Sequence, residues 1–212
     1  MNILVIGATG QIGRLLVPKL IADDHSVTAL VRDAARGQAL AEQGAKLIVA
    51  DLEDDFSHAF KGIDAVIYTA GSGASTGKDK TLTIDLWSAI KSVRYAETLK
   101  TRRFLMVSAL KAGNPDLGNE AIKPYLAAKH AADEILKSSQ LDYTILRPGR
   151  LTDEPETGQI QVAYELEDYH GSISRANVAE CLRVSLGHVK ASQQVIDLLD
   201  GEHCVHDALD QL

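Results

Sequence analysis

Residues 2–14 read NILVIGATGQIGR, an apolar run that enters three glycines spaced three residues apart. The apolar run predicts a buried strand, and Gln11–Ala22 carries apolar residues at the spacing of an amphipathic helix. Gly7 suits the tight turn between them, Gly10 lets a ligand approach the backbone, and Gly13 lets the helix pack closely on the strand. Because the N–H groups of the helix start face this turn, the stretch predicts a phosphate-binding unit of the dinucleotide-binding type.

Beyond this unit, short apolar runs alternate with longer segments of helical periodicity, which predicts a parallel sheet with helices on both faces. With right-handed crossovers the fold class is α/β, a doubly wound parallel sheet of the Rossmann type in three α/β/α layers. The predicted strands are Asn2–Ile6, Ser26–Val31, Lys46–Ala50, Ala65–Tyr68, Arg103–Val107, Tyr143–Arg147 and Gln194–Leu199. The predicted helices are Gln11–Ala22, Ala34–Gln43, Thr81–Lys100 and Tyr125–Lys137.

The pattern changes after Pro148, where we predict a short strand Gln159–Ala163, a helix from Arg175 capped by Ser174, and a last helix near Val205–Leu209. This region is too short for a separate substrate domain. We therefore expect residues 1–212 to form one domain, in which residues from about 150 to 212 are a small cap on the substrate side.

Composition narrows the class of partner. The chain has 212 residues, a formal net charge of -7 and a pI near 5.5, which argues against nucleic-acid binding and favours a small-molecule substrate. Cys181 and Cys204 have neither metal-ligand nor CxxC spacing; we interpret both as buried small side chains in a reducing compartment. The start lacks a basic leader and no stretch predicts a membrane span, so we expect a cytoplasmic protein, monomer or homodimer.

The end of the second predicted strand, Arg32 and Asp33, bears on cofactor choice. An arginine at this position favours the 2′-phosphate of NADP, whereas an acidic residue binds the free ribose hydroxyls of NAD. Arg32 and Arg36 therefore favour NADP. One alternative is that Asp33 binds the ribose of NAD, and another is that the two arginines are only solvated residues at the start of a helix. Asp51, followed by Leu52, either accepts from the adenine amino group or caps the next turn.

Two loops rich in Gly, Asn and Ser follow predicted strands, at Gly71–Lys80 and Lys111–Lys123, where open α/β sheets bind ligands. With these features the sequence resembles the short-chain dehydrogenase/reductase superfamily, in its atypical, NmrA-like and epimerase-like branch. The stretches that carry the resemblance are Gly7–Gly13, Asp51-Leu52, Asp64–Gly71, Ser108, Tyr125–Lys129, Arg147-Pro-Gly149, and Ile173–Arg175 followed by Val178-Ala179.

The resemblance implies an NAD(P) site along the whole crevice and a catalytic set of Ser108, Tyr125 and Lys129. The stretch Thr69–Gly71 would pass the nicotinamide half, the loop at Pro148 and Gly149 would border nicotinamide and substrate, and Arg175 would lie near the substrate or be a plain surface residue. The predicted cofactor-binding residues are Gly7, Thr9, Gly10, Gln11, Ile12, Gly13, Arg32, Arg36, Asp51, Leu52, Thr69, Ala70, Gly71, Lys129, Pro148 and Gly149.

The chemistry of the catalytic pair follows from its spacing. Tyr125 and Lys129 are four residues apart on a predicted helix, so both face one point, and the ammonium would lower the pKa of the phenol toward working pH. Tyr125 would be the general acid or base, Lys129 would also hold ribose hydroxyls, and Ser108 would bind the substrate oxygen. The alternative is a half-buried aromatic beside a surface cation, and the long segment from Ser108 to Tyr125 puts the reach of Ser108 in doubt.

Two functions remain open at this stage. The first is an NADP(H)-dependent oxidoreductase that reduces or oxidises a small carbonyl or flavin-like substrate; the second is a non-catalytic NAD(P)-binding redox sensor or regulator. The short C-terminal region disfavours a sugar-nucleotide epimerase. His203, Cys204 and His206 suggest a metal group at first sight, but we interpret them as solvated capping residues and predict no metal.

Overall fold

The fold is a mostly parallel sheet with helices on both faces, as predicted. The structure, a computed structural model, describes residues 1–73, 76–167 and 169–212. The strands are β1 Asn2–Ile6, β2 Ser26–Val31, β3 Lys46–Val49, β4 Ala65–Tyr68, β5 Arg103–Val107, β6 Asp142–Pro148, β7 Arg150–Thr152, β8 Gln159–Ala163, β9 Ser172–Ser174, β10 Gln194–Asp200 and β11 His203–Cys204. The α-helices are α1 Gln11–Ala22, α2 Ala34–Glu42, α3 Lys78–Lys80, α4 Ala89–Thr98, α5 Lys123–Lys137, α6 Arg175–Ser185 and α7 Val205–Asp210.

The strand order fixes where the ligand crevice lies. Nine strands pair in the order β11-β8-β10-β6-β5-β4-β1-β2-β3, and a separate small sheet pairs β7 with β9. The neighbours of β1 are β2 on one side and β4 on the other, both parallel to it. The chain therefore winds outward in opposite directions from β1, and the crevice at this switch point opens beyond the carboxyl ends of β1 and β4.

Both faces of the sheet are buried, which explains why the predicted strands are continuous apolar runs rather than alternating ones. In β1, Ile3 and Val5 face the core layer that includes Leu16 of α1, whereas Leu4 and Ile6 face the layer on the other side. All four β1 side chains are fully buried. The first strand is thus held from both sides, and the turn that follows it is fixed in place.

The predicted helix Thr81–Lys100 is wrong in detail, because its first half is a π-helix. Thr81–Ser88 is π-helical between α3 and α4. The carbonyl oxygen of Ile84 accepts from the hydroxyls of Tyr68 and Ser88, at 2.8 and 2.7 Å. These hydroxyls satisfy a carbonyl that an ordinary helical turn would pair internally, so the widened turn carries no unpaired acceptor there.

Other boundaries differ by one to three residues. β3 ends before Ala50, α2 ends before Gln43, and α5 begins at Lys123, two residues earlier than predicted, with Pro124 in its first turn. Within the predicted loop Gly71–Lys80, Ala74 and Ser75 lie outside the described residues, and the end of the loop is α3.

The region after Gly149 mostly extends the main sheet. β10 pairs with β6 in parallel, β8 pairs with β10 and β11 pairs with β8, both antiparallel, and α6 packs against α1. Ser174 Oγ accepts from the N–H of Asn177 at 3.0 Å, which confirms the predicted cap of α6. The short strands β7, β9 and β11 escape prediction because two or three residues show no periodicity. In the part of the chain that the structure describes, no helix is long and apolar enough to span a bilayer.

One core prediction is wrong. Cys181 is buried in α6, but Cys204 is exposed, and its Sγ accepts from the N–H of Asp207 at 3.5 Å. Cys204 therefore caps α7 rather than filling the core, because β11 lies at the edge of the sheet.

Candidate active site

The glycine turn lies at the switch point and is closely packed. Gly7 has φ +88, and a Cβ at Gly7 would approach the backbone nitrogen of Ala70 to 2.6 Å. A Cβ at Gly13 would lie 2.4 Å from the carbonyl oxygen of Gly7. The N–H of Gly10 closes the turn on the same oxygen at 2.9 Å. Only glycine at positions 7 and 13 lets the end of β4, the turn and α1 come this close.

The start of α1 offers unpaired N–H groups beside this turn. Gly10 is the N-cap residue and supplies no side-chain cap, so the amides of the first turn, from Gln11 to Gly13, have no side-chain acceptor. Ile12 is buried and anchors the helix, while Gln11 is exposed and Thr9 is half-buried. A pyrophosphate would find N–H donors and the positive end of the helix dipole at this point.

At the end of β2, the arginines and the aspartate that are candidates to bind the cofactor have different environments. Asp33 Oδ1 accepts from the N–H of Ala35 at 2.9 Å, so this carboxylate caps α2. Arg32 and Arg36 are exposed, and neither forms an ion pair with another described residue. The guanidinium groups are therefore available to an added anion, whereas the carboxylate already has a partner.

Asp51 and Leu52 follow β3 in different environments. Asp51 Oδ1 accepts from the N–H of Glu53 at 2.9 Å, which is the turn-capping contact that the sequence allows. Leu52 is 7% exposed and belongs to the core layer that contains Phe56. Asp51 is therefore engaged in the turn through Oδ1, and the buried Leu52 offers only its backbone to a ligand.

The loop after β4 is tied to a residue that sequence reasoning missed. Thr69 Oγ1 donates to the carbonyl oxygen of Ile6 at 3.1 Å, which closes the end of β4 on β1. Asp85, in the π-helix, is 1% exposed, and its Oδ2 accepts from the N–H and the hydroxyl of Ser72 at 3.2 and 2.6 Å. A Cβ at Gly71 would lie 3.1 Å from the other oxygen of Asp85. The signal available in the sequence for Asp85 was an acidic residue within an apolar helical stretch.

Tyr125 and Lys129 share one face of α5, as predicted, but their electrostatics differ from the prediction. Burial, followed by the charges of Asp85 and Asp133, raises the pKa of the Tyr125 phenol above its usual range. Burial lowers the pKa of Lys129, which is 2% exposed and donates to the carbonyl oxygen of Val107 at 2.7 Å. The predicted lowering of the Tyr125 pKa is therefore wrong, because burial disfavours the phenolate and the two carboxylates add to this effect.

Ser108 lies beneath this pair, next to a buried ion pair. Asp133 is fully buried, its Oδ2 accepts from Arg147 Nε at 2.9 Å, and burial raises its pKa against the opposing charge of Arg147. Ser108 is 3% exposed, and its Oγ and Asp133 Oδ1 are both without a hydrogen bond of standard geometry in the described part of the chain. The hydroxyl nevertheless stabilises the Asp133 carboxylate electrostatically. Its depth leaves little access for a substrate oxygen.

The end of β6 is as crowded as the glycine turn. The carbonyl oxygen of Pro148 accepts from the N–H of Leu110 at 2.9 Å, and the N–H of Gly149 donates to Leu198 at 3.1 Å. A Cβ at Gly149 would lie 2.3 Å from the side chain of Leu199. These contacts join the loop after β5, β6 and β10 at the carboxyl end of the sheet.

Two cavities flank this end of the sheet. One of about 560 Å³ lies beside the start of α1, lined by Gln11, Arg14 and Arg175 among others. Arg175 Nη1 donates to Asp153 at 2.7 Å there, so Arg175 lies next to α1. The other, of about 180 Å³, is lined by Arg147 and by residues of the loop after β5.

Known proteins that are similar in sequence agree with a dinucleotide site at the glycine turn. The sequence profile of the NAD(P)H-binding family matches residues 7–188. The chain belongs to this family. It is 46% identical over 217 residues to the Bacillus subtilis protein YhfK, named an uncharacterized sugar epimerase, and the match covers 100% of both chains. These findings also confirm the predicted kinship with NAD(P)-binding, epimerase-like proteins.

Solved structures agree with the fold. A Bacillus halodurans protein, described as an NAD-dependent epimerase/dehydratase, superposes with a TM-score of 0.97 at 42% identity, covering 100% of both chains. ChuY from Escherichia coli O157:H7, described as an anaerobillin reductase, gives a TM-score of 0.80 at 28% identity, covering 94% of this chain and 97% of that one. The chain is thus an NAD(P)-binding protein of an oxidoreductase- and epimerase-like family.

Proposed function

We propose that this protein is an NADP(H)-dependent reductase of a small carbonyl or flavin-like substrate, with Tyr125 as the general acid. The observation that carries the proposal is one chain of contacts. Gly7 packs on Ala70 at the glycine turn, the following loop is held by Asp85 through Ser72, and the Asp85 charge acts on Tyr125. The candidate acid and the candidate cofactor site therefore belong to one crevice.

The residues at the crevice fit a phosphorylated dinucleotide. The glycine turn leaves no room for side chains, and the first amides of α1 have no side-chain cap. Neither Arg32 nor Arg36 forms an ion pair with a described residue, although the charge of Arg32 acts on Glu53, and Asp33 Oδ1 caps α2. Bound there, reduced nicotinamide supplies a hydride for the substrate carbon. Because Asp33 Oδ1 already caps α2 and the exposed arginines form no ion pair with a described residue, we favour NADP(H) over NAD(H).

The protonation state of Tyr125 suits the role of general acid. Its raised pKa keeps the phenol protonated at neutral pH, which suits a group that gives its proton to a carbonyl oxygen as the hydride reaches the carbon. The phenolate left behind would face Asp85 and Asp133, so reprotonation from solvent is favoured over accumulation of the anion. Lys129, buried in the same cluster, partly offsets these negative charges.

The relatives support the chemical class. ChuY is described as an anaerobillin reductase, and the Bacillus halodurans structure as an epimerase/dehydratase. One description names a reductase and the other an NAD-dependent enzyme, and both fit the proposed class. A small substrate, a reducing cytoplasmic setting and a monomer or homodimer remain part of the proposal.

A non-catalytic NADP(H) sensor is the second candidate, and one observation favours it. Lys129 is 2% exposed and donates one of its three N–H groups to the carbonyl oxygen of Val107, so its ammonium is buried and already has a backbone partner. A protein that only binds the cofactor has no need of an assembled tyrosine–lysine pair.

Binding and turnover separate these candidates. NADPH and NADH are titrated by nicotinamide fluorescence into the wild type, Arg32→Ala and Arg102→Ala, the last an exposed arginine at the other end of the sheet. We expect Arg32→Ala to weaken NADPH binding about tenfold or more, with NADH binding and Arg102→Ala near wild type. Equal affinity for both cofactors in the wild type would overturn the NADP assignment.

A screen of carbonyl and flavin acceptors then tests catalysis. For any acceptor that is turned over, Tyr125→Phe should lower kcat by about 10²-fold or more while NADPH binding stays within about twofold. Tyr164→Phe, at an exposed tyrosine, is the matched control. Tight NADPH binding without turnover of any acceptor would instead support the sensor.

A further inference from the structure

Two histidines and an aspartate from separate parts of the chain meet where α7 packs on the turn before β10. His188 precedes the 3-10 turn Val189–Ala191, and His206 and Asp210 are one turn apart on α7. The chain passes through β10 and β11 between them, so only the fold brings the three together. Among the described residues, this is the group of histidine, cysteine and acidic side chains with three potential metal ligands in reach of one ion.

Two of the distances are close to those between the ligands of a small tetrahedral ion. Asp210 Oδ1 lies 3.3 Å from His188 Nε2, and Asp210 Oδ2 lies 3.3 Å from His206 Nδ1. The ligand atoms all lie within 4.8 Å of one another. A zinc ion with Zn–N and Zn–O bonds of about 2.0–2.2 Å holds tetrahedral ligands roughly 3.3–3.5 Å apart.

The present contacts leave the carboxylate weakly engaged. Charge-assisted hydrogen bonds to carboxylates are typically about 2.7–2.9 Å, shorter than both contacts of Asp210. Lys190, the nearby cation, donates to the backbone oxygens of Asp210 and Leu212 and not to the Asp210 side chain. The carboxylate is therefore free to bind an ion together with the imidazoles.

The site combines a fixed ligand with accessible ones. The side chain of His188 is 8% exposed, and its Nδ1 is buried with no hydrogen-bond partner among the described residues, so Nε2, which faces Asp210, is the ring nitrogen placed to bind an ion. His206 and Asp210 are 66% and 54% exposed, which gives an ion an entry path and leaves a coordination position for water. Two imidazoles and one carboxylate suit zinc and its neighbours in the first transition series rather than Mg²⁺ or Ca²⁺.

We propose that His188, His206 and Asp210 bind a divalent transition-metal ion, with Zn²⁺ as the reference case, and that the ion fastens α7 to the turn before β10. The group differs from the one that the sequence suggests, because Cys204 caps α7 and His203 is an exposed residue of β11. The proposal does not depend on the NADP(H) site or on turnover.

The test uses chelator-treated full-length protein titrated with Zn²⁺ alone by calorimetry, together with thermal unfolding with and without Zn²⁺. We expect one equivalent to bind the wild type and to raise Tm, and His206→Asn or Asp210→Asn to weaken binding about tenfold or more. His203→Asn is the matched control and should bind as the wild type does.

The variants keep the result interpretable, since both altered side chains are mostly exposed and far-UV circular dichroism checks that each variant is folded. Equal Zn²⁺ binding by the wild type and His206→Asn would overturn the proposal, as would the absence of saturable binding by the wild type. Binding that is lost in His203→Asn would place the ion elsewhere and overturn it too.

Discussion

A methyl group at Gly13 would meet backbone atoms that cannot move independently. It would lie 2.4 Å from the carbonyl oxygen of Gly7 and 2.7 Å from Ala8 Cα, in the turn that joins β1 to α1. We expect Gly13→Ala to lower the free energy of unfolding by about 3 kcal/mol or more, measured in urea. Gly187→Ala, where a Cβ would meet nothing within 4 Å, is the control and should change it by less than about 0.5 kcal/mol.

Should both variants lose similar stability, the close approach of α1 to the turn would not be what requires glycine at position 13. NADPH binding gives a second readout, because a displaced α1 would also move the first amides away from the phosphates.

At Asp85, replacement of the carboxylate by an amide removes one of the charges that hold the Tyr125 phenol protonated. The pKa of Tyr125 is raised first by burial and then by Asp85, so Asp85→Asn should lower it. A general acid is active below its pKa, and the alkaline loss of kcat for reduction should therefore begin at a lower pH than in the wild type.

The control for this prediction is Ser72→Ala, which removes a partner of Asp85 but keeps its charge. We expect Ser72→Ala to alter KM for NADPH more than the pH profile. An unchanged alkaline limb in Asp85→Asn would mean that this charge does not act on Tyr125 during catalysis.

Among the elements, α1 and α6 are joined by an ion-pair network centred on Glu180. Its carboxylate binds Arg183 at 2.6 Å and Lys19 at 2.9 Å, and its side chain is 15% exposed. Hydrogen bonds from Arg183, opposed by burial and reinforced by Lys19, lower the pKa of Glu180 to about 2. A lowered carboxyl pKa stabilises the folded state above the unfolded value of 4.5, and this stability is lost as the pH falls toward 2.

Glu180→Gln should accordingly lose about 1–2 kcal/mol of unfolding free energy at pH 7 and much less near pH 2, measured in urea at both pH values. Glu134→Gln is the matched control, since Glu134 pairs with Lys137 on an exposed face of α5. A loss that is equal at both pH values would show that packing of the side chain, rather than its charge, joins the two helices.

The helices also illustrate which features can be predicted from the sequence and which cannot. Gln11–Ala22 was predicted to the residue because its glycines, apolar spacing and neighbouring strand are all local. The π-helix was not, since it depends on the Tyr68 hydroxyl from a distant strand. The positions of Tyr125 and Lys129 on one helix face were predictable, because they depend only on local spacing. Their pKa directions were not, because these depend on burial and on Asp85, a residue from another part of the chain.

At the scale of the whole molecule, the reactivity of the two cysteine thiols distinguishes the surface of the protein from its core. Cys204 is exposed, whereas Cys181 is 1% exposed in the core layer shared by α1 and α6, and burial raises the pKa of its thiol. Thiolate is the reactive form. We expect a disulfide-exchange reagent to label one thiol rapidly in the native protein and the second only as the chain unfolds.

Cys204→Ser should abolish the rapid phase and leave the slow one, whose rate equals the unfolding rate when labelling is fast. NADPH should slow it further if the cofactor binds only the folded chain. Rapid labelling of Cys181 in this variant would contradict the packing of α6 on the sheet.

The carboxylate of Asp85 serves two parts of the molecule at once. Because it binds the loop at Ser72 and, after burial, also raises the pKa of Tyr125, a ligand that moves Asp85 together with this loop must change the proton affinity of the phenol. Thermodynamic reciprocity then requires the protonation state of Tyr125 to alter the affinity for that ligand by the same factor. Ligand binding in the crevice and protonation of Tyr125 are therefore thermodynamically coupled through Asp85.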